Sequence, residues 1–397
     1  MKIANRLNLI KPSMTLAIDA KAKELKAKGV DVIGFGTGEP DFPTPDNVKE
    51  AAIRAIRNNE TRYPPVSGTD GLKKAIIAKF EKDHGASYAP NQILVSSGAK
   101  QSFYNLAQAL WEPGDEIIVP APYWVSYPDM IMLSGAKPKI VETTASNGFK
   151  LTPDQLSDVV NENTKAIVIN SPSNPTGSAY NKSELKALVE CALKNNLLII
   201  SDEIYEKIVF DGFEQVSVAS LGEEVRKNSV IINGASKAYS MTGWRIGYIA
   251  ATPDIVSAVN KLQGQINSGA CSISQAAAAE ALIGPQDYLT ERVQEFQKRR
   301  DFVLNTLESI SGVSCFKPVG TFYCFPDFSG ILGSSYEGKQ IQDSLDLGAF
   351  LLEEAKVALV PGVPFGAKTN MRFSFATSMQ VLEEGLSRIK NAFEKLG

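Results

Sequence analysis

Short apolar runs alternate with amphipathic stretches along most of the chain, and this alternation restricts the possible folds more than any other feature. Several runs are continuously apolar, as expected for strands covered on both faces. The stretches between them, such as 101–110 and 182–193, have the apolar spacing of helices. Strands that alternate with helices predict an α/β fold with a mostly parallel sheet. The candidate strands are 32–35, 92–95, 116–119, 166–169, 197–200, 230–232 and 248–250.

The pattern changes near residue 286, which indicates a second, smaller α+β domain. A charged helical stretch over 288–307 leads to strand-like runs at 321–325 and 371–375. A helix over 15–28 opens the chain, and we expect this segment to pack with the smaller domain. A chain of 397 residues is also long for one ordinary domain. We therefore predict three parts, namely an N-terminal segment over 1–45, a large domain over 46–285 and a small C-terminal domain over 286–397.

Composition excludes several classes of protein. The formal net charge is −3 and no basic run is interleaved with aromatics, which argues against a nucleic-acid partner. No apolar stretch has the length of a membrane span, and the N-terminus lacks signal-peptide character. The four cysteines form no C-x-x-C pair, so we expect reduced thiols and a cytoplasmic location. With His84 as the single histidine, at an expected helix end, neither a histidine metal site nor a Ser-His-Asp triad is expected.

One lysine, Lys237, lies among small residues in the segment 233–247, directly after an apolar run. A lysine in a tight, partly desolvated turn can have a lowered pKa and can act as a nucleophile toward carbonyls. Ser236 and Arg245 carry a hydroxyl and a guanidinium, which are suitable ligands for a phosphate group. Taken alone, a lysine is more often a solvated surface residue.

Polar residues follow the ends of two further candidate strands. Asp202 ends the run that begins at 197, at the edge where open α/β sheets bind ligands. Its carboxylate can pair with a protonated pyridine nitrogen, or it can cap the next helix. Tyr205, three residues on, can bond a phenolate oxygen. Asn174 lies in the turn 170–177, which can place an amide on a cofactor oxygen or can be only a turn.

Three other features indicate ligand binding. The run at 92–95 leads through Gly98 into a helix, whose first N–H groups form an anion site. Neither G-x-x-x-x-G-K-[ST] nor a helix-opening G-x-G-x-x-G is present, so the anion need not be a nucleotide phosphate. Trp124 can stack on a flat ring or belong to the core. Arg372, in an otherwise apolar run, either pairs with a carboxylate ligand or points to solvent.

Together these motifs resemble the class I pyridoxal-phosphate (PLP) aminotransferases of fold type I, over nearly the whole chain. The resemblance implies a seven-stranded, mostly parallel sheet flanked by helices, with a smaller α+β domain. It also implies a homodimer with active sites at the subunit interface. The matching segments are 38–42, 63–68, 97–101, 122–125, 174–177, 201–205, 236–237, 243–247 and Arg372.

The resemblance implies a role for each motif. Lys237 would form the Schiff base with PLP and move protons at the substrate, and Asp202 would keep the ring nitrogen protonated. Asn174 and Tyr205 would contact the ring hydroxyl, and Trp124 would stack on the ring. The residues implied at or near the phosphate are Gly98, Ala99, Lys100, Ser236, Arg245 and Tyr63 of the other subunit. The residues implied for the substrate are Gly38, Trp124, Asn174, Arg372, Lys100, Thr15 and Ser268.

Within the family the chain most resembles the bacterial aspartate aminotransferase subgroup, which includes enzymes that also accept prephenate. Lys100 and Thr15 match positions associated there with the distal carboxylate of the substrate, although Lys100 can also be a solvated lysine at a helix start. Ser268 matches only in part, because 269–271 reads Gly-Ala-Cys where the family often has Asn-Pro or Ser-Pro. This departure bears on loop geometry and on specificity for acidic substrates.

The expected reaction is ping-pong transamination between L-aspartate and 2-oxoglutarate, which gives oxaloacetate and L-glutamate. Prephenate, an aromatic amino acid or alanine remains an alternative substrate within the same fold. A PLP-binding regulatory protein without turnover would usually carry a separate DNA-binding domain, for which the chain has no room. A nucleotide-binding oxidoreductase would need the glycine fingerprint that is absent.

Overall fold

The computed structural model describes residues 3–10, 12 and 14–396, and it leaves out the side chains of residues 14–16 and 19. The strands are β1 (Ile33–Gly34), β2 (Ile93–Ser96), β3 (Glu116–Ala121), β4 (Lys137–Glu142), β5 (Thr164–Asn170), β6 (Leu198–Asp202), β7 (Ser229–Gly234), β8 (Gly247–Ala250), β9 (Tyr323–Cys324), β10 (Ser335–Tyr336), β11 (Lys339–Gln340), β12 (Val357–Ala358), β13 (Val360–Pro361) and β14 (Met371–Ser374). The α-helices are α1 (Met14–Ala27), α2 (Asp46–Arg57), α3 (Asp70–His84), α4 (Ala99–Leu110), α5 (Ser126–Ser134), α6 (Pro153–Val159), α7 (Lys182–Lys194), α8 (Glu223–Lys227), α9 (Pro253–Ile266), α10 (Ser272–Ile283), α11 (Tyr288–Glu308), α12 (Ser344–Phe350) and α13 (Met379–Phe393).

A seven-stranded sheet forms the centre of the fold, in the order β2-β8-β7-β6-β5-β3-β4. The strands from β7 to β4 run parallel, and β8 is antiparallel to both of its neighbours. Successive residues of β2 enter different cores, since Ile93 and Val95 pack on one face and Leu94 on the other. Helices therefore cover both faces, which explains the continuously apolar runs. The predicted α/β class and seven-stranded sheet are confirmed.

Two details of this sheet differ from the sequence pattern. The edge strand β4 was not among the candidates, because only Val141 of its six residues is buried and the strand lacks an apolar run. The run at 32–35 does contain a strand, but β1 lies outside the large sheet and pairs in parallel with β12. Its apolar residues are buried by the C-terminal part of the chain: the rings of Phe35 and Phe373 stack with centroids 4.2 Å apart.

The C-terminal part of the chain has its own sheet, and it packs in a core that also includes Ile204, Tyr205, Ile208 and Phe210. Strands β13, β14 and β9 form a three-stranded antiparallel sheet, in which β9 and β14 lie within the strand-like runs at 321–325 and 371–375. The charged stretch at 288–307 forms α11, which packs on this core through one face. Residues from the N-terminal segment, Ile33 and Phe35, belong to the same core.

Local signals set several helix ends. Helix α3 begins after Thr69, whose hydroxyl accepts a hydrogen bond from the Leu72 N–H, and ends at His84, as predicted. Gly85 follows at φ 61°, in the left-handed conformation that glycine adopts without strain. Helix α7 begins with a capping box between Asn181 and Glu184. In the described part of the chain, no helix combines the length and apolar character needed to cross a membrane.

Candidate active site

A cavity of about 320 Å³ opens where β5, β6 and β7 end and α4 begins. This is the edge at which open α/β sheets bind ligands. It is bordered by eleven of the residues predicted from the sequence, namely Gly38, Ala99, Lys100, Trp124, Asn174, Asp202, Tyr205, Ser236, Lys237, Arg245 and Arg372. The fold therefore brings together side chains from segments that are far apart along the chain.

Lys237 follows β7 and places its amine inside the cavity. Its Nζ donates a hydrogen bond to the Gly38 carbonyl at 2.5 Å. Burial, together with the positive charges of Arg372 and Arg245, lowers the pKa of Lys237 to about 8. A neutral amine, the nucleophilic form, is thus accessible near neutral pH.

Asp202 ends β6 and is buried with only 4% of its surface exposed. Its carboxylate accepts hydrogen bonds from the Tyr127 hydroxyl at 2.7 Å and from the Ile204 N–H at 3.2 Å. Burial raises the pKa of Asp202, and these two hydrogen bonds and Lys237 only partly oppose it. A buried carboxylate of this kind is suited to a cationic ligand group such as a protonated ring nitrogen.

The start of α4 and the loop after β7 form an anion-binding corner. Gly98 caps α4 at φ 93°, and a side chain there would overlap the guanidinium of Arg245. A methyl group at Gly247 would likewise overlap the backbone nitrogen of Ala99. These glycines let the guanidinium and the helix N-terminus come close together, next to Ser236. Free N–H groups, a hydroxyl and a guanidinium suit a phosphate.

Arg372 lies on the opposite side of the cavity, in β14. It is 2% exposed, so the solvent-facing alternative is wrong. Its Nη1 donates to the Asn174 side-chain oxygen at 3.0 Å, and its Nη2 donates to the Gly36 carbonyl at 2.8 Å. Its Nε has no hydrogen-bond partner among the residues that the structure describes. In the described part of the chain no carboxylate pairs with this buried guanidinium and its Nε is unused, so the group is suited to an anionic ligand.

Lys100 extends from the first turn of α4 over the ring of Trp124, with Nζ 4.9 Å from the ring centroid. Partial burial of the amine and the charge of Arg245 lower the pKa of Lys100. The residue as a whole is exposed, but its amine borders the cavity, as a ligand-binding role requires. Lys100 thus adds a cationic group to the cavity that Arg372, Lys237 and Arg245 also line.

Two predicted site residues with described side chains, Tyr63 and Ser268, lie away from this cavity, while Gly98 does not border it itself but precedes Ala99, which does. Tyr63 is 93% exposed and does not border it. Ser268 is exposed at φ 58° and does not border it either, although the neighbouring Asn267 donates to the Ser97 hydroxyl at 3.2 Å. Thr15 lies in α1, and its side chain is outside the described residues.

The residues that border the cavity without having been predicted as site residues include Tyr127, Asn170 and Tyr323. Asn170 bonds the carbonyl of Asp202 and accepts a hydrogen bond from the Asn174 N–H, so it joins two predicted residues. Its position at the end of a strand was a usable signal. Nothing in the pattern distinguishes Tyr127 and Tyr323 from core tyrosines, because their partners are distant in sequence.

Outside the cavity, His84, Glu203 and Glu206 bring possible metal-ligand atoms within 4.8 Å of one another. The ammonium of Lys79 already lies among them, 2.6 Å from Glu206 and 3.2 Å from the His84 ring nitrogen. A metal cation would be repelled by this buried charge. The group is better described as an ion-pair network.

Comparison with known proteins gives one consistent result. Residues 30–389 match the family described as aminotransferase class I and II. The chain is 48% identical to an aspartate aminotransferase of Bacillus subtilis (strain 168), with all of both chains covered. It is 47% identical to an aspartate/prephenate aminotransferase of Cereibacter sphaeroides, with 98% of each covered.

Solved structures give the same result. The crystal structure of an aspartate aminotransferase from Rhizobium meliloti matches with a TM-score of 0.97 at 43% identity, covering 100% of each chain. That of Thermus thermophilus aspartate aminotransferase with maleate matches with a TM-score of 0.93 at 37% identity, covering 99% of this chain and 100% of that one.

Proposed function

Because this chain belongs to the class I and II aminotransferases, we propose that it transfers the amino group of L-aspartate to 2-oxoglutarate by a ping-pong mechanism. The products are oxaloacetate and L-glutamate. The observation that carries the proposal is the presence in one cavity of the Lys237 amine, the buried Asp202 carboxylate and the buried Arg372 guanidinium. Relatives named aspartate aminotransferase at 46% to 48% identity support the substrate.

We propose PLP as the cofactor, because the donor set of the cavity fits each part of it. The buried Asp202 suits the protonated ring nitrogen, and the α4 N-terminus with Ser236 and Arg245 suits the phosphate. Asn174 and Tyr205 are proposed to contact the ring hydroxyl, and Trp124 to stack on the ring. Bound PLP supplies an electron sink for the bonds at the substrate Cα.

Lys237 is proposed to hold the cofactor and then to move the proton at the substrate Cα. Its pKa of about 8 suits this role, since a general base works best when its pKa lies near the working pH. Asp202 keeps a proton on the ring nitrogen, and the Tyr127 hydroxyl fixes the orientation of that carboxylate.

Two cationic groups account for the proposed preference for dicarboxylic substrates. Arg372, with Gly38 and Asn174, is proposed to bind the α-carboxylate. Lys100 is proposed to bind the distal carboxylate together with Thr15, which is supported by the position of Lys100 on the cavity wall. Prephenate also carries two carboxylates, and the relatives named aspartate/prephenate aminotransferase favour it as a second substrate.

We propose the same three-part division as the sequence predicts. Residues 1–45 pack with the small domain 286–397, and residues 46–285 form the large domain. The pairing of β1 with β12 supports this grouping. A homodimer is proposed in which each subunit supplies Tyr63 to the phosphate site of the other. The 93% exposure of Tyr63, away from its own cavity, supports this. A cytoplasmic location is also proposed, in keeping with four unpaired cysteines.

An absorbance spectrum of the purified protein tests the proposal. We expect a visible band from bound PLP that moves to the near ultraviolet with L-aspartate and returns with 2-oxoglutarate. A band that responds only to phenylalanine, alanine or glutamate with prephenate would replace the substrate pair and keep the enzyme class. No band, even after PLP is added, would refute the proposed cofactor and reaction.

A further inference from the structure

Tyr323 lies between two groups of the proposed site and has no role in the function proposed above. It is 1% exposed, and its ring lies 4.4 Å from the guanidinium carbon of Arg372. Its hydroxyl is 3.2 Å from the hydroxyl of Tyr205. The face of the ring thus contacts the proposed carboxylate receptor, while its hydroxyl contacts the proposed cofactor ligand.

The fold holds Tyr323 firmly in this place. In the β9–β14 pair it lies opposite Ser374, so Arg372 is its diagonal neighbour on the same face. The Tyr323 N–H also bonds the Thr321 hydroxyl at 3.1 Å. The hydroxyl end is confined as well, because a Cβ at Gly38 would lie 3.3 Å from it. A side chain fixed at both ends can set the orientation of its neighbours.

We propose that Tyr323 is a positioning residue that connects Arg372 to Tyr205. Its ring sets the plane of the guanidinium, and its hydroxyl orients the Tyr205 hydroxyl toward the cofactor. This inference rests on the proposed function, since it requires an anionic substrate at Arg372 and PLP beside Tyr205.

The direction of the hydrogen bonds follows from counting protons. Each phenol has one proton, and burial raises the pKa of both tyrosines, so both stay neutral. When Tyr205 donates its proton to the cofactor ring oxygen, the Tyr205 oxygen becomes an acceptor for Tyr323. A second hydrogen bond in such a chain strengthens the first by polarising it.

Two substitutions separate the hydroxyl from the ring. Tyr323→Phe keeps the ring and removes the hydroxyl, whereas Tyr323→Leu removes both. Tyr323→Met replaces Tyr323→Leu if the latter does not fold, since a flexible side chain fills irregular space better. Tyr248→Phe is the matched control, because Tyr248 is also 1% exposed and its hydroxyl has no hydrogen-bond partner within the described ranges.

The measurements use the PLP-loaded protein. The first is the pH midpoint at which the visible band changes. The second is the dissociation constant of succinate, followed by the change in that band. For Tyr323→Phe we expect the midpoint to rise by a few tenths of a pH unit. A weaker hydrogen bond from Tyr205 stabilises the deprotonated form of the bound cofactor less, so the protonated form persists to higher pH. Its succinate affinity should stay within about twofold of the wild type. Tyr323→Leu should also weaken succinate binding about tenfold, through loss of the ring beside Arg372.

Either of two results would overturn this inference and leave the proposed function intact. One is a midpoint in Tyr323→Phe equal to that of the wild type and of Tyr248→Phe. The other is a succinate affinity in Tyr323→Leu equal to that in Tyr323→Phe. A wild-type protein without a visible band would overturn the proposed function and the inference together. The two failures are therefore distinguishable in the wild-type spectrum.

Discussion

The amine of Lys237 shares its cavity with the guanidinium groups of Arg245 and Arg372, and it is partly desolvated there. Both effects favour the neutral form of the amine. The residue is therefore prepared for reaction with a carbonyl before any ligand arrives, unlike an ordinary lysine, whose amine stays charged up to about pH 10.

The rate at which PLP binds covalently to the apoprotein should report this pKa. Below a pKa of about 8 the neutral fraction rises about tenfold per pH unit, and above it the fraction levels off. We expect the rate of appearance of the visible band to follow this curve. A rate that still rises about tenfold between about pH 9 and pH 10 would indicate an unperturbed lysine.

Tyr127 is expected to affect activity although it was not predicted, since it supplies one of the two hydrogen bonds to the Asp202 carboxylate. Tyr127→Phe should lower kcat/KM for aspartate by about tenfold, the usual effect of losing a hydrogen bond to a charged group. Without this bond the pKa of Asp202 rises further, so the loss should be larger at low pH. Tyr180→Phe, a buried tyrosine bonded to the Leu151 backbone, is the control. Equal kcat/KM values in the two variants would contradict the role of Tyr127.

The sequence predicted the cavity residues whose chemistry is unusual for their position, such as an arginine in an apolar run or an aspartate at a strand end. It did not predict Tyr127 and Tyr323, because a tyrosine in an apolar setting is ordinary and only its distant partner shows its role. Asp202 lies 75 residues from Tyr127, and Tyr205 lies 118 residues from Tyr323. Such contacts exist only after the elements have packed.

At the scale of elements, strands were predicted correctly where both faces of the strand are buried. Strands β2, β7 and β8 are buried at every residue, and each gave a continuous apolar run. The edge strand β4 has one neighbour, β3, and a mostly polar face, so its strand character comes from pairing rather than from its own residues. The run at 32–35 was correctly predicted as a strand, but it pairs with β12 rather than with a strand of the large sheet. The apolar pattern of a strand does not identify its neighbour.

Helix α3 is joined to the segment after β6 by the buried pair of Lys79 and Glu206, whose side chains are 2% and 6% exposed. Lys79→Met would leave the Glu206 carboxylate with His84 alone. We expect this variant to lose about 3–5 kcal/mol of unfolding free energy in urea, since a buried charge loses its partner. Lys186→Met, which breaks the exposed pair with Glu190, should cost under about 0.5 kcal/mol. Similar losses in both variants would contradict the importance of burial.

The same network predicts a dependence on acid. Burial alone would raise the pKa of Glu206, but Lys79 and His84 outweigh it and hold the pKa below the ordinary value of 4.5. A depressed carboxylate pKa adds stability above the unfolded value, and this stability is lost as the pH falls through the folded value. The stability difference between the wild type and Glu206→Gln should therefore shrink below about pH 4.5. Urea unfolding at a series of pH values measures it, and a constant difference would exclude this linkage.

At the scale of the whole molecule, the proposed homodimer can be tested by combining two inactive variants of the chain. Lys237→Ala removes the amine, and Tyr63→Asp places a negative charge where the partner's phosphate is proposed to bind, so each variant alone should show no multiple-turnover transamination. After the two are unfolded and refolded together, a mixed dimer would contain one intact site. Activity should recover to about a quarter of the wild-type value, because half of the dimers are mixed and each has one working site of two.

The control for this mixing experiment is the pair Lys237→Ala and Arg372→Ala. Both residues border the same cavity of one chain, so no mixed dimer regains an intact site. Recovery in this control, or none in the first pair, would refute the exchange of Tyr63 between subunits.

The hydrogen bond from Arg372 to the Gly36 carbonyl joins residues that are 336 positions apart. The chain leaves the ribosome N-terminus first, so this hydrogen bond can form only after almost the entire protein has been synthesised. A nascent chain that stops near residue 285 would contain the anion-binding corner and Lys237 but not Arg372, the proposed receptor for the substrate carboxylate. If Arg372 binds the substrate as proposed, the site is completed only in the last tenth of translation, and a chain interrupted earlier can carry out neither half-reaction.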